Sequence, residues 1–225
     1  MSTPFDGLNP EDVLGEVLDG LRAEIALGVD TFDEIVDSTI EDYVIDGLEK
    51  YVDDPDLLPE ADEDQTRAWL ASVLDAEFAA HLGAQGEGGG PTDAERLTDA
   101  FEELGAAGIV ARENFECCNT CAHSAMGGEI EAENAGRAAR GLPPVHGFVF
   151  YHAQDAERLE AYLGFGAAGA ADPGADAAVG HEIVAALRRH GLEPDWNGDP
   201  VHKIAGPSLA RRRTGALAEH PGRSA

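Results

Sequence analysis

Lysine is almost missing from this chain. Only Lys50 and Lys203 occur among 225 residues, and all Lys and Arg together number 15 against 44 Asp and Glu. The resulting formal charge of -29 repels nucleic-acid phosphates and anionic lipid headgroups, so no nucleic-acid ligand is expected. No uninterrupted apolar run approaches the roughly 20 residues that cross a bilayer, so no membrane association is expected either. Met1 to Asp12 has neither a basic residue nor an apolar run, which argues against a secretory leader and for a cytoplasmic location. No GxSxG elbow, P-loop or GxGxxG after a strand is present, which leaves serine hydrolysis and nucleotide binding without a motif. Cysteine is scarce as well, and all three thiols fall in one window, Cys117-Cys118-Asn119-Thr120-Cys121.

Apolar residues make up 43% of the chain, enough for a folded core. Charge is unevenly placed: Met1 to Gly105 holds 29 acidic and 4 basic residues, and the remainder 15 and 11. Adaptation to high salt, with a codon bias toward Arg, Ala and Gly, accounts for such a surface. So does a cationic protein partner bound by the acidic first half, as immunity proteins bind toxins.

Asn9-Pro10 reads as an N-cap with proline in the first turn, followed by Val13, Leu14, Val17, Leu18, Leu21 and Ile25 at helical spacing up to Gly28. Thr31 with Glu34 forms a capping box for a second helix, which Asp53-Asp54-Pro55 ends. A third spans about Asp62 to His81. Residues 1–82 are thus predicted to be an acidic helical bundle, 83–91 (GAQGEGGGP) a glycine-rich linker, and 92–207 an α+β domain. That domain is expected to combine a small, mostly antiparallel sheet with flanking helices. Its strands are placed at Ile109–Ala111, Gly147–His152 and Ala161–Phe165, with a hairpin about Asn197-Gly198. Gly127-Gly128 is expected to interrupt the helix after the cysteines, and 208–225 to be a disordered tail.

Three thiols so close together suggest a metal or redox chemistry. Cys118-x2-Cys121 is the spacing with which two thiolates grip one zinc ion from a turn. Cys117 is a third ligand candidate, and His123 a near one. A remaining ligand has to come from afar, with His152, His146 and His181 as candidates. The same thiols suit redox work if a helix begins at Asn119 or Thr120, with Cys118 attacking and Cys121 resolving. They also suit a plain role as small core residues under the strand at Ile109. His152, followed by Gln154, Asp155 and Glu157, is a candidate ligand or general base.

Several segments together resemble an uncharacterised bacterial family built on a domain of unknown function. They are Asp99-Ala100-Phe101, Asn114-Phe115-x-Cys117-Cys118-x-x-Cys121, Phe148-Val149-Phe150-Tyr151-His152-x-Gln154-Asp155-x-Glu157, Tyr162-Leu163-x-Phe165-Gly166 and Trp196-Asn197-Gly198-Asp199. The likeness is fullest from Leu97 to Ile204 and looser before it. It implies a shared fold and no reaction. Ala122-His123 stands where a glycine commonly follows the third cysteine, which moves weight from His123 to His152 as a ligand.

A partner held by the acidic half through charge should be retained by the immobilised protein at low salt and released at high salt. If no basic protein is retained at low salt, that role is removed.

Overall fold

The capping signals at Asn9 and Thr31 are met by the backbone, although the helices they open are shorter than the sequence suggests. The computed structural model describes residues 4–52, 54–85, 90–169 and 173–220, without the side chain of Glu16. The chain falls into two compact units, Met1–Gly89 with Arg212–Ala225, and Gly90–Arg211. The glycine-rich linker expected at 83–91 has Gly83 and Ala84 in a helix, and residues 86–89 lie outside those described.

In the first unit Asn9 caps α1 (Pro10–Leu14), and its side chain accepts from the N–H of Glu11. One helix was expected up to Gly28. Instead Gly15, at φ 49°, separates α1 from α2 (Glu16–Leu27), and Gly28 ends α2 in the left-handed conformation. Thr31 and Glu34 close a reciprocal capping box on α3 (Phe32–Ile40). This helix stops short of the expected Asp53: a π-helical turn, Glu41–Ile45, follows, then short 3-10 turns at Leu48–Lys50 and Pro55–Leu57. Asp62 and Gln65 form a second box on α4 (Glu63–Ala84). The apolar faces of these helices share one core around Leu18, Ile25, Ile35, Leu74 and Phe78. Phe5 stacks on Trp69 with centroids 4.5 Å apart.

The stretch 208–225, expected as a disordered tail, is described to His220 and contains buried side chains. Arg213 is 3% exposed. Its Nε donates to the carbonyl of Ile25 at 2.7 Å, its Nη1 to those of Asp30 and Leu217, and its backbone N–H to Gln85. The guanidinium lies 4.7 Å from the Phe78 ring centre, and the ring of His220 stacks on the same phenylalanine. One cation thus serves the Ile25 carbonyl in the last turn of α2, which has no partner within the helix, together with carbonyls in the loop after α2 and in the C-terminal turn.

The second unit opens with α5 (Asp93–Ala107), boxed by Thr92 and Glu95 and ended by left-handed Gly108. Its four-stranded sheet has the order β1 (Ile109–Arg112), β2 (Gly147–Phe150), β3 (Glu160–Ala167), β4 (Ile204–Ser208). β1 and β2 are parallel, whereas β2–β3 and β3–β4 are antiparallel. The fold class is α+β, with α6 (Asn119–Ala139), α7 (Ala153–Ala156) and α8 (Pro173–Arg189) beside the sheet. Gly127 and Gly128 do not interrupt α6. The hairpin expected at Asn197-Gly198 is not formed. The two segments meet at a single antiparallel bridge, Asp195 to Ala205, rather than as a ladder, while β4 pairs along its other edge with β3; the indole N–H of Trp196 donates to the Asp199 and His202 carbonyls in the intervening loop. Among the described residues no helix is long and apolar enough to cross a membrane.

Replacing Arg213 by alanine leaves the buried carbonyl of Ile25 and the part-buried one of Asp30 without that donor. The first unit should lose roughly 2–4 kcal/mol, the cost typical of stripping several hydrogen bonds to a charged group. Hydrogen exchange should then speed up in α2 and α4 and stay unchanged in α8 and β3. Equal loosening of both units would contradict this assignment.

Candidate metal centre

Two parallel neighbours need a crossover, and α6 supplies it between β1 and β2. The cysteines occupy the turn from β1 into that helix. Asn114 and Glu116 both have positive φ, 46° and 62°, which folds the turn tightly. The Phe115 N–H donates to the Tyr151 carbonyl at 2.8 Å, and the Ala153 N–H to the Glu116 carbonyl at 3.0 Å. The turn is thereby sewn to the segment that leaves β2. Its base is held by Glu113, which accepts from the Tyr151 hydroxyl at 3.0 Å and from Arg211 at 2.6 Å. Burial and that carboxylate push the Tyr151 phenol well above its ordinary range, so it stays a neutral donor.

Cys118 is the N-cap of α6, extended at φ -154°, and Cys121 is the third residue of the helix. This spacing brings both thiols to the start of α6, and Cys117 joins them: all three Sγ atoms lie within 4.8 Å of one another. Cys117 and Cys121 are exposed and Cys118 is half-buried, so these are not core residues beneath β1. Cys118 has no hydrogen bond of strict capping geometry. Even so, the Cys121 N–H first, then the thiols of Cys121 and Cys117, draw its pKa below the usual thiol value. Cys121 moves the other way, pushed up to about 11 by its two neighbouring thiols.

The histidines are placed differently. Among the described residues the thiols form the candidate ligand cluster, and neither His123 nor His152 is in it. The ring of His123 stands edge-on to Phe148 and Phe150, 5.9 and 5.1 Å away, and burial and Lys203 lower its pKa. His152 is buried at the N-cap of α7, where Asp155 accepts from its backbone N–H at 3.1 Å. Its Nε2 lies 3.1 Å from Lys203 Nζ, so an ammonium donor there implies the Nδ1–H tautomer. Nδ1 faces Asp155 Oδ2 at 3.3 Å without the alignment of a hydrogen bond. Both ring nitrogens are thus turned toward other groups. His146 pairs with Glu182 at 2.9 Å, and His181 rests on Trp196 at 5.1 Å.

Lys203 is the residue that pattern reading passed over. It touches His152, lies 3.9 Å from Asp155 and influences His123, so it ties the loop before β4 to the ends of β2 and α6. Its only signal in the sequence is its rarity.

A family model described as a domain of unknown function (DUF6891) matches residues 10–214. The chain belongs to this family. The DUF6891 match takes in the helices of the first unit, the whole second unit and Arg213, so it reaches beyond the segments that carry the sequence resemblance. No curated protein and no solved structure matches the chain.

Burial, ahead of Lys203, holds the His152 pKa below the ordinary 6.5. An unfolded chain binds that proton more readily. The stability contributed by neutral His152 is therefore complete above about pH 6.5 and lost as pH falls below it. Lys203→Met removes a nearby positive charge, so the His152 pKa read by NMR should rise and this acid sensitivity should shrink. An unchanged His152 titration would show that the ammonium does not act on the ring.

Proposed function

We propose that the DUF6891 chain holds a thiophilic divalent cation, zinc, through the thiolates of Cys117, Cys118 and Cys121, in a structural or regulatory role. The observation that carries this reading is the convergence of three thiols within 4.8 Å at the start of one helix. Zinc–sulfur bonds of about 2.3 Å in a tetrahedron set sulfurs roughly 3.8 Å apart, so sub-ångström adjustments suffice. The positive end of α6 favours the deprotonated thiols that coordination requires. His152, expected as a further ligand, has its ring nitrogens facing Lys203 and Asp155, and His123 lies outside the thiol cluster. The fourth position falls to water or to a ligand from outside, and since a structural site is closed by four protein ligands, this openness favours the regulatory role.

A second reading is a dithiol redox pair, favoured by the helix beginning at Asn119. Cys118 then sits at the N-cap with a lowered pKa, and Cys121 stays protonated. The Cys118 thiolate attacks a substrate disulfide and expels one thiolate. Cys121, deprotonated, then attacks the mixed disulfide, so two electrons pass from the pair to the substrate. The acidic surface also suits a cationic protein partner, a reading that net charge alone supports.

Protein purified without chelator should carry about one zinc per chain and lose it as pH falls and protons compete for the thiolates. Alkylation should be slow until a chelator is added, and Cys118→Ser should abolish retention of the metal. A folded, metal-free protein with three freely reacting thiols would overturn the zinc reading. A reversible Cys118–Cys121 disulfide in that same protein would establish the redox one.

A further inference from the structure

β1 is an edge strand, and beside it lies a pocket of about 470 Å³ that has nothing to do with the thiols. Its floor is β1 itself, Ile109 to Arg112. One wall is the end of α5, with Phe101 and Gly105, and the other is the last turns of α6 with Leu142 beyond them. Leu142 is 44% exposed, so the pocket opens to solvent.

The charge of this lining contrasts with the rest of the chain. Residues 90–211 hold 19 acidic and 9 basic side chains, yet three of those nine, Arg112, Arg137 and Arg140, line this one pocket with a single carboxylate, Glu133. Two of the three are neutralised: Arg112 by Glu129 at 2.7 Å and Arg140 by Glu133 at 3.1 Å. Arg137 is not. It is 4% exposed, and among the described residues no carboxylate lies within ion-pair distance of it. Its Nε donates to the Pro143 carbonyl at 2.7 Å and its Nη1 to that of Gly105 at 3.3 Å. Those carbonyls lock the guanidinium in place and offset its charge only in part. A buried cation is costly without a counter-charge.

The guanidinium reaches this position because residue 108 has no side chain. A Cβ built at Gly108 would meet Arg137 Nη2 at 3.3 Å and His146 Nδ1 at the same distance, and its φ is +105°. The arrangement supplies an immobilised guanidinium with Nη2 left to donate, an apolar wall at Ala106 and Leu142 and an opening, the ingredients of a site for an acid group on a compact apolar body.

We propose that this pocket binds a small organic anion, a carboxylate or a phosphate monoester, with its acid group on Arg137 and its apolar part against Ala106 and Leu142. The volume suits a single-ring ligand. The site is independent of the cysteines and of any metal they hold.

The test is an NMR titration of the full chain with benzoate, phenyl phosphate and uncharged benzyl alcohol. Both anions should give saturable shifts confined to residues 105–112 and 137–142, and the alcohol none; the stronger of the two anions identifies the preferred acid group. Arg137→Met should weaken anion binding about tenfold or more, the loss typical of a charge-assisted hydrogen bond. Leu142→Asp changes an exposed residue, leaves Arg137 alone, and should abolish binding by repulsion even if the Arg137 variant fails to fold. Three outcomes overturn the proposal: no saturable shifts at millimolar anion, equal binding of benzyl alcohol, or undiminished binding in folded Leu142→Asp.

Discussion

Neighbouring strands that run in the same direction cannot be joined by a tight turn, and that constraint organises the second unit. A chain leaving β1 has to travel back along the sheet before it enters β2, and α6 is that return path. The helix must therefore begin where β1 ends, beside the place where β2 will also end. Whatever residues fill the turn into α6 are carried to that location, and here they are Cys117, Cys118 and Cys121. The hydrogen bonds from Phe115 to Tyr151 and from Ala153 to Glu116 follow from the same proximity. A thiol cluster on a helix start is thus a consequence of topology as much as of the C-x2-C spacing.

Close packing of the sheet depends on where side chains are absent. Phe150 lies across Gly164 on the neighbouring strand, where an added Cβ would come within 2.7 Å of the ring, and Phe148 lies across Gly166 in the same way. His123 then stands on both rings, which explains why its imidazole is taken up by aromatic contact. On α8, Gly180 makes room for Trp196 and Phe165. Alanine at any of these glycines would force an aromatic ring to move, at a cost characteristic of overpacking.

Local rules made much of this legible. Capping boxes at Thr31 and Thr92 and the break at Gly28 are interactions between near neighbours, and the strands at Ile109 and Gly147 show as short apolar runs, both of which a sequence displays directly. The candidate site was half legible for the same reason: three thiols in five residues are visible in one dimension. What stayed hidden depends on distant partners. Nothing near His152 in sequence announces that Lys203, 51 residues away, will take its Nε2. The hairpin expected at Asn197-Gly198 is reduced to one bridge, Asp195 to Ala205, and the sequence did not announce that β4 would use its other edge to pair with β3, about 40 residues back. The stretch 208–225 was expected as a disordered tail, whereas Arg211 and Arg213 are each held by groups more than 90 residues back along the chain.

The return of Arg213 to the first unit has a consequence for the order of events during synthesis. Residues 90–211 are interposed within the sequence of the first unit, which is completed only by what the ribosome makes after residue 211. The carbonyls of Ile25 and Asp30 leave the exit tunnel long before the guanidinium that will serve them. The interposed unit has all its parts available first. The acidic helices lack Arg213 until the chain is nearly finished, and their high like charge is suited to keeping such an incomplete unit from associating with its neighbours on the polysome.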